Sequence, residues 1–170
     1  MYFAVIQQFQ KSLGNLDAIL GKAQAHADSR KFNPDGYLPL RLAPDMLPFA
    51  VQIRIACDTA KGAAASLAGT EAPKHLDNDV TFAELRARIA KCLAYLATFK
   101  EADFAAVKAT DIVPIPYPAG KAMYAQEALL SRAVPNFFFH VTTAYDLLRT
   151  NGVELGKADY LGELQILDPA

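Results

Sequence analysis

The polar residues best placed for chemistry fall in one apolar run, Val134-Pro135-Asn136-Phe137-Phe138-Phe139-His140. Asn136 and His140 are four apart and so share one helical face. An amide beside an imidazole can hold a small ligand by hydrogen bonds, and the imidazole can act as a general base. The same pair also suits a hydrogen-bonded core histidine with a polar neighbour. Pro135 is expected inside this helix, removing the bond to the Ser131 carbonyl and kinking the chain beside the pair.

Metal chemistry needs three or more converging ligands, and an i, i+4 histidine pair is the usual way for one helix to supply two. His140 stands alone here, and His26 and His75 lie at no pairing interval from it or from each other. A three-histidine centre would depend wholly on the fold, and two surface histidines are the simpler expectation. Cys57 and Cys92 fall on or beside apolar stripes with no CxxC spacing, as reduced thiols acting as small hydrophobes would. The chain has no GxSxG, no HExxH, no glycine-rich phosphate loop and no GxGxxG. Those absences count against the common enzyme classes. Arg41 near Asp45, and Lys157 with Asp159 and Tyr160, are placed to rim one end of the molecule. There they would hold an anion, or serve structurally, with Asp45 as a helix cap and Arg41 on a helix-end carbonyl.

Four amphipathic stripes must position these residues. Tyr2, Ile6, Phe9, Leu13, Leu16, Leu20, Ala23 and Ala27 recur at steps of three and four, which predicts a first helix. Met46, Ala50, Ile53, Cys57, Ala60, Ala64 and Leu67 predict a second, opening after Asp45 with Pro48 in its first turn. The third opens on the capping box Thr81-Phe-Ala-Glu84 and carries Phe82, Leu85, Ile89, Leu93 and Leu96. The fourth carries Leu130, Ala133, Phe137, Val141, Ala144 and Leu148 and stops at Asn151-Gly152. Four stripes of about 20 to 28 residues argue an all-α fold, a bundle. Residues 69–80, when extended, reach about 40 Å, enough for the third helix to run parallel to the second. Residues 112–124 place short apolar stretches around a Pro/Gly turn, which predicts a small β-hairpin before the last helix. The segment after Gly152, through Leu155, Tyr160 and Ile166, is apolar enough to fold back on the bundle.

The chain has 170 residues, 17 basic against 18 acidic side chains and 52% hydrophobic content, enough to bury one core. A single domain spanning 1–170 is expected. A net charge of -1 gives no basic surplus for nucleic-acid binding. No apolar stretch approaches a bilayer span, so no membrane is expected. Two cysteines and a start without a secretory pattern point to the reducing cytoplasm.

At RLAPDM before the second helix, and at PNFFFHVTTAYDLLRTNGVELGKADYLG from the fourth helix into the tail, the chain resembles an uncharacterised bacterial domain-of-unknown-function family grouped with the DinB-like (DinB/YfiT) four-helix proteins. The resemblance covers essentially the whole chain. It implies an up-down-down-up four-helix bundle and a homodimer. Many DinB-like proteins bind a metal through one histidine of the second helix and an HxxxH pair of the fourth, and some are thiol-dependent transferases or isomerases. Aligning Leu148-Arg149 with the superfamily's closing Leu-Arg puts His140 at the second histidine of that pair and Asn136 at the first. Gln52 is the polar residue nearest the remaining ligand position. Two amides for three ligands bind zinc or nickel poorly. No cofactor is expected, with a weakly bound divalent metal on His140 as the alternative.

The expectation is therefore a dimeric small-ligand-binding or interaction bundle with a degenerate metal site. Its pocket would be lined by Gln52, Asn136 and His140 and rimmed by Arg41 and Tyr145. The alternative is a metal- or thiol-dependent transferase or isomerase using His140 as base or ligand.

Overall fold

Apolar steps of three and four over the first thirty positions form α1 (Tyr2–Arg30), whose buried stripe is the predicted one with Ser12 and Ile19 added. It ends at Lys31 in the left-handed conformation (φ 60°), with the Phe32 N–H bonded to the Ala27 carbonyl at 3.1 Å. The computed structural model describes residues 1–168.

Helix α2 (Phe49–Leu67) starts later than its stripe predicts. Asp45 does not cap it. Pro48 holds the capping position in extended conformation, and a residue followed by proline, here Leu47, is kept out of helical geometry. The incoming chain does the capping: Phe49 N–H donates to the Leu40 carbonyl (2.8 Å) and Ala50 N–H to the Leu38 carbonyl (3.2 Å).

Helix α3 (Phe82–Leu96) opens on the predicted capping box. Thr81 Oγ1 accepts from the Glu84 N–H at 3.2 Å, and the Glu84 carboxylate accepts from the N–H groups of Thr81 and Val80. These bonds hold the Glu84 carboxyl below its usual pKa. At 15 residues α3 is shorter than the predicted range.

Strands β1 (Ile112–Ile115) and β2 (Lys121–Tyr124) form the predicted antiparallel hairpin, in register from Ile112 opposite Tyr124 to Ile115 opposite Lys121. The fourth predicted helix is built in three pieces. Helix α4 (Ala125–Glu127) runs into a π-wound stretch (Ala128–Ala133), and α5 (Val134–Thr150) follows. Pro135 therefore lies in the first turn of α5 and not mid-helix. Its missing donor is accommodated where the chain winds more widely before it. Helix α5 ends at Asn151 and Gly152 (φ 89°), with the Val153 N–H on the Leu148 carbonyl.

The tail returns only in part. Val153 and Leu155 are buried, and α6 (Lys157–Leu161) packs on α1. Past Gly162 the chain leaves the core, and Ile166 is 83% exposed, contrary to the folding-back expected of it.

The four long helical elements share one core, with α2 packed most extensively on α5 and then on α3. Phe9 of α1 meets Phe137 of α5 with ring centroids 4.4 Å apart. Arg86 of α3 forms two 2.8 Å bonds to Asp17 of α1. Cys92 Sγ of α3 lies 3.4 Å from the Cys57 carbonyl of α2. The architecture is mostly helical with one two-stranded hairpin before the last helices. Among the described residues no helix is long and apolar enough to cross a membrane.

Candidate functional site

The Leu47 carbonyl, freed by the late start of α2, accepts from Gln52 Nε2 at 2.7 Å. A carbonyl only accepts, so this bond turns the amide nitrogen of Gln52 toward Leu47 and its oxygen away. That oxygen, Oε1, lies 2.6 Å from His140 Nδ1. Nδ1 must therefore carry a hydrogen, and in the neutral ring Nε2 keeps its lone pair. Gln52 and His140 are both buried, and burial pushes the imidazole pKa below the usual 6.5. The ring is neutral at neutral pH, with a fixed tautomer.

His140 lines a groove of about 900 Å³ bounded by α2, the connection to α3, the hairpin, the π-wound stretch and α5. Gln52 lies behind the imidazole and does not line the groove. Asn136, one turn before His140, does line it, and donates through Nδ2 to Thr59 Oγ1 of α2 at 2.7 Å. The structure thus brings Gln52, Asn136 and His140 to one seam between α2 and α5.

Arg41 and Tyr145 do not line this groove. The exposed Arg41 guanidinium donates to the Met46 carbonyl, a structural bond of the kind weighed for it. Tyr145 is five residues past His140, roughly 140° around the helix, and packs edge-on against Tyr160 at 5.9 Å. Tyr160 in turn hydrogen-bonds Thr142 at 2.9 Å, and Asp159 pairs with Lys22 at 2.7 Å. Lys157 and its neighbours therefore belong to the tail's attachment. Both cysteines are buried, and the thiol of Cys57 is pushed well up by its hydrogen bond to Cys92 and by burial, which leaves it unreactive. His26 lies half-buried with Nδ1 2.7 Å from the Tyr37 hydroxyl.

Several groove residues carry no signal on the fourth stripe. His75, in the α2–α3 connection, lines the groove half-buried, its pKa lowered by burial and by Lys61 and Arg88. That connection is pinned by Arg88, 3% exposed, whose Nε donates to Asp79 at 2.8 Å and Nη2 to Asp77 at 3.0 Å. Arg54 adds 2.6 Å and 3.2 Å bonds to the same Asp79. Lys61, 6% exposed, pairs with Asp58 at 2.8 Å. Arg88 and Lys61 are charges at core-facing spacing from Leu85 and Cys57, and that misfit is the one sequence feature that marks them.

A family model described as "Domain of unknown function (DUF1993)" matches residues 1–161. The chain belongs to the DUF1993 family. It is similar to a crystal structure of a DinB family member protein from Shewanella denitrificans, with 48% identity, a TM-score of 0.89, and coverage of 96% of this chain and 93% of that one. No curated protein matches the chain.

Where the resemblance places the three ligands of a DinB-like metal, this DUF1993 chain has one imidazole and two amides. Among the described residues no three His, Cys, Asp or Glu side chains converge. Both Gln52 amide atoms and Asn136 Nδ2 are engaged within the protein, and His140 Nδ1 faces Gln52. The seam offers one free imidazole nitrogen, a donor set that does not fit a three-ligand centre.

Proposed function

We propose that this DUF1993 protein is a small-molecule-binding bundle whose site is the groove at His140, with the superfamily's metal site degenerate. One observation carries the reading: the relay from the Leu47 carbonyl through Gln52 to His140, which leaves free the acceptor nitrogen of a neutral imidazole that lines the groove. A ligand with a hydroxyl, amine or thiol donor would complete the arrangement. The test is a protein-observed NMR screen with a mixed library of small acids, amides, alcohols and thiols. The expected result is that binders shift His140, Asn136 and Thr59 together. Binders confined to other surfaces, or none, would overturn the reading.

The same imidazole supports the second reading, a thiol-dependent transferase or isomerase, because a neutral ring with Nε2 free is what a general base requires.

We further propose the up-down-down-up order for the four long helices. In support, Phe9 with Phe137 and His26 with Gly152 advance together along α1 and α5. Phe49 with Phe82 and Cys57 with Cys92 likewise advance together along α2 and α3. Gln52 with His140 and Thr59 with Asn136 run oppositely, as do Phe3 with Phe104 and Asp17 with Arg86. A homodimer is proposed on the apolar outer face where Phe139 (56% exposed) and Leu42 (41%) line one cleft with Met46 and Phe138. Light scattering should give twice the 18.4 kDa chain mass, and 18.4 kDa itself would reject the dimer. A cytoplasmic location is proposed on the two buried reduced thiols.

A further inference from the structure

Arg132 stands four residues before Asn136 and eight before His140, so the three extend one face of the helical run into the groove. It is a half-buried cation that the site leaves uncommitted. Its hydrogen bond is a 3.3 Å contact to the Tyr117 carbonyl, and among the described residues no carboxylate pairs with it. Asp58, which lines the same groove, is already held by Lys61 at 2.8 Å and approached by Arg88 at 3.7 Å. The groove floor is therefore left with a positive charge that no side chain neutralises.

Arg132 lines both the groove, whose wall is mostly apolar through Leu47, Ile55, Leu76 and Ile115, and a smaller recess of about 30 Å³ beneath the hairpin. That recess is walled by Leu67, Val113 and Leu129, which are all buried, together with Ala63 and Pro114. A guanidinium set in a mostly apolar wall matches a molecule with an acid group beside a hydrocarbon body.

We propose that the groove binds an amphipathic organic carboxylate, with its acid group on the Arg132 guanidinium and its apolar part along the groove's apolar wall. This rests on the groove at His140 being a ligand site, and adds the class of ligand. A guanidinium binds a carboxylate by a fork of two parallel N–H donors.

The experiment is calorimetric titration of the full chain with octanoate and with octanamide, which has the same shape but no charge. Octanoate is expected to bind the wild type and octanamide to bind at least about tenfold more weakly. Arg132→Gln should remove that difference and Arg132→Lys should restore part of it. Lys100→Gln, at an exposed position outside the groove, should leave octanoate binding unchanged. A melting curve for each variant shows whether it is folded. Equal binding of the two probes, or octanoate binding that survives Arg132→Gln, would overturn the proposal. If small fragments collect at His140 while octanoate does not bind, the carboxylate assignment falls and the ligand site stands. If neither fragments nor octanoate bind, both fall.

Discussion

At the scale of single residues, His140 ties structure to pH. Its folded pKa lies below the unfolded 6.5 because burial disfavours the charged ring, and the same holds for His75. The unfolded chain then takes up protons before the folded one as pH falls through about 6.5. Stability is fully present above that value and is lost on the way down to the depressed folded pKa values. Urea unfolding between pH 7.5 and 5 should show this fall in the wild type. His140→Gln should flatten part of it and His75→Gln,His140→Gln most of it; an unchanged slope in the double variant would contradict the account. The carboxylates of Glu84 and Asp159, also lowered, titrate below this window. Asn136 and His140 were legible because two polar side chains four apart in a run of phenylalanines stand out on an otherwise apolar face. Arg132 was not, because an arginine on a helix reads as a solvated surface charge, and only the fold half-buries it beside the hairpin. His75 reaches the groove through loop closure, which leaves no periodic trace.

At the scale of elements, the attachments matter more than helix propensity. Gly162 has φ 64° and ψ -162°, a region essentially limited to glycine, and a Cβ there would strike the Asn15 side chain. Asn15 Nδ2 donates to the Tyr160 carbonyl at 3.0 Å, so that collision would break the bond holding α6 on α1. Gly162→Ala should cost about 1–3 kcal/mol and expose the tail after Gly152 to proteolysis, with no effect on His140. Resistance equal to wild type would show that α6 is held otherwise. The α2–α3 connection is the second such attachment. Removing the guanidinium in Arg88→Met leaves Asp79 to Arg54 alone and releases the exposed Asp77, at a cost of about 1–3 kcal/mol. It should also loosen the groove wall that carries His75, readable as faster amide exchange across residues 70–80. The capping box and the hairpin were legible because each is a local pattern with a local cause. The start of α2 was not: its stripe runs back to Met46, while Pro48 and the backbone of residues 38–40 set the boundary.

At the scale of the whole molecule, the groove exists because segments far apart in the chain meet around α2. Leu47 and Gln52 open that helix, His140 arrives 88 residues later, and the hairpin covers the far end through the Ser66 hydroxyl on the Pro114 carbonyl at 2.7 Å. The four stripes foretold the helices, and the family resemblance foretold their company. Neither could foretell that Gln52 would orient the imidazole of His140, since that depends on which atom of Gln52 meets the Leu47 carbonyl. Long-range nitrogen-proton NMR of 15N-histidine-labelled protein at neutral pH reads that orientation directly. The account predicts for His140 a neutral ring with Nδ1 protonated and Nε2 unprotonated, and loss of this preference in Gln52→Leu. A ring protonated on Nε2, or charged at pH 7, would contradict it.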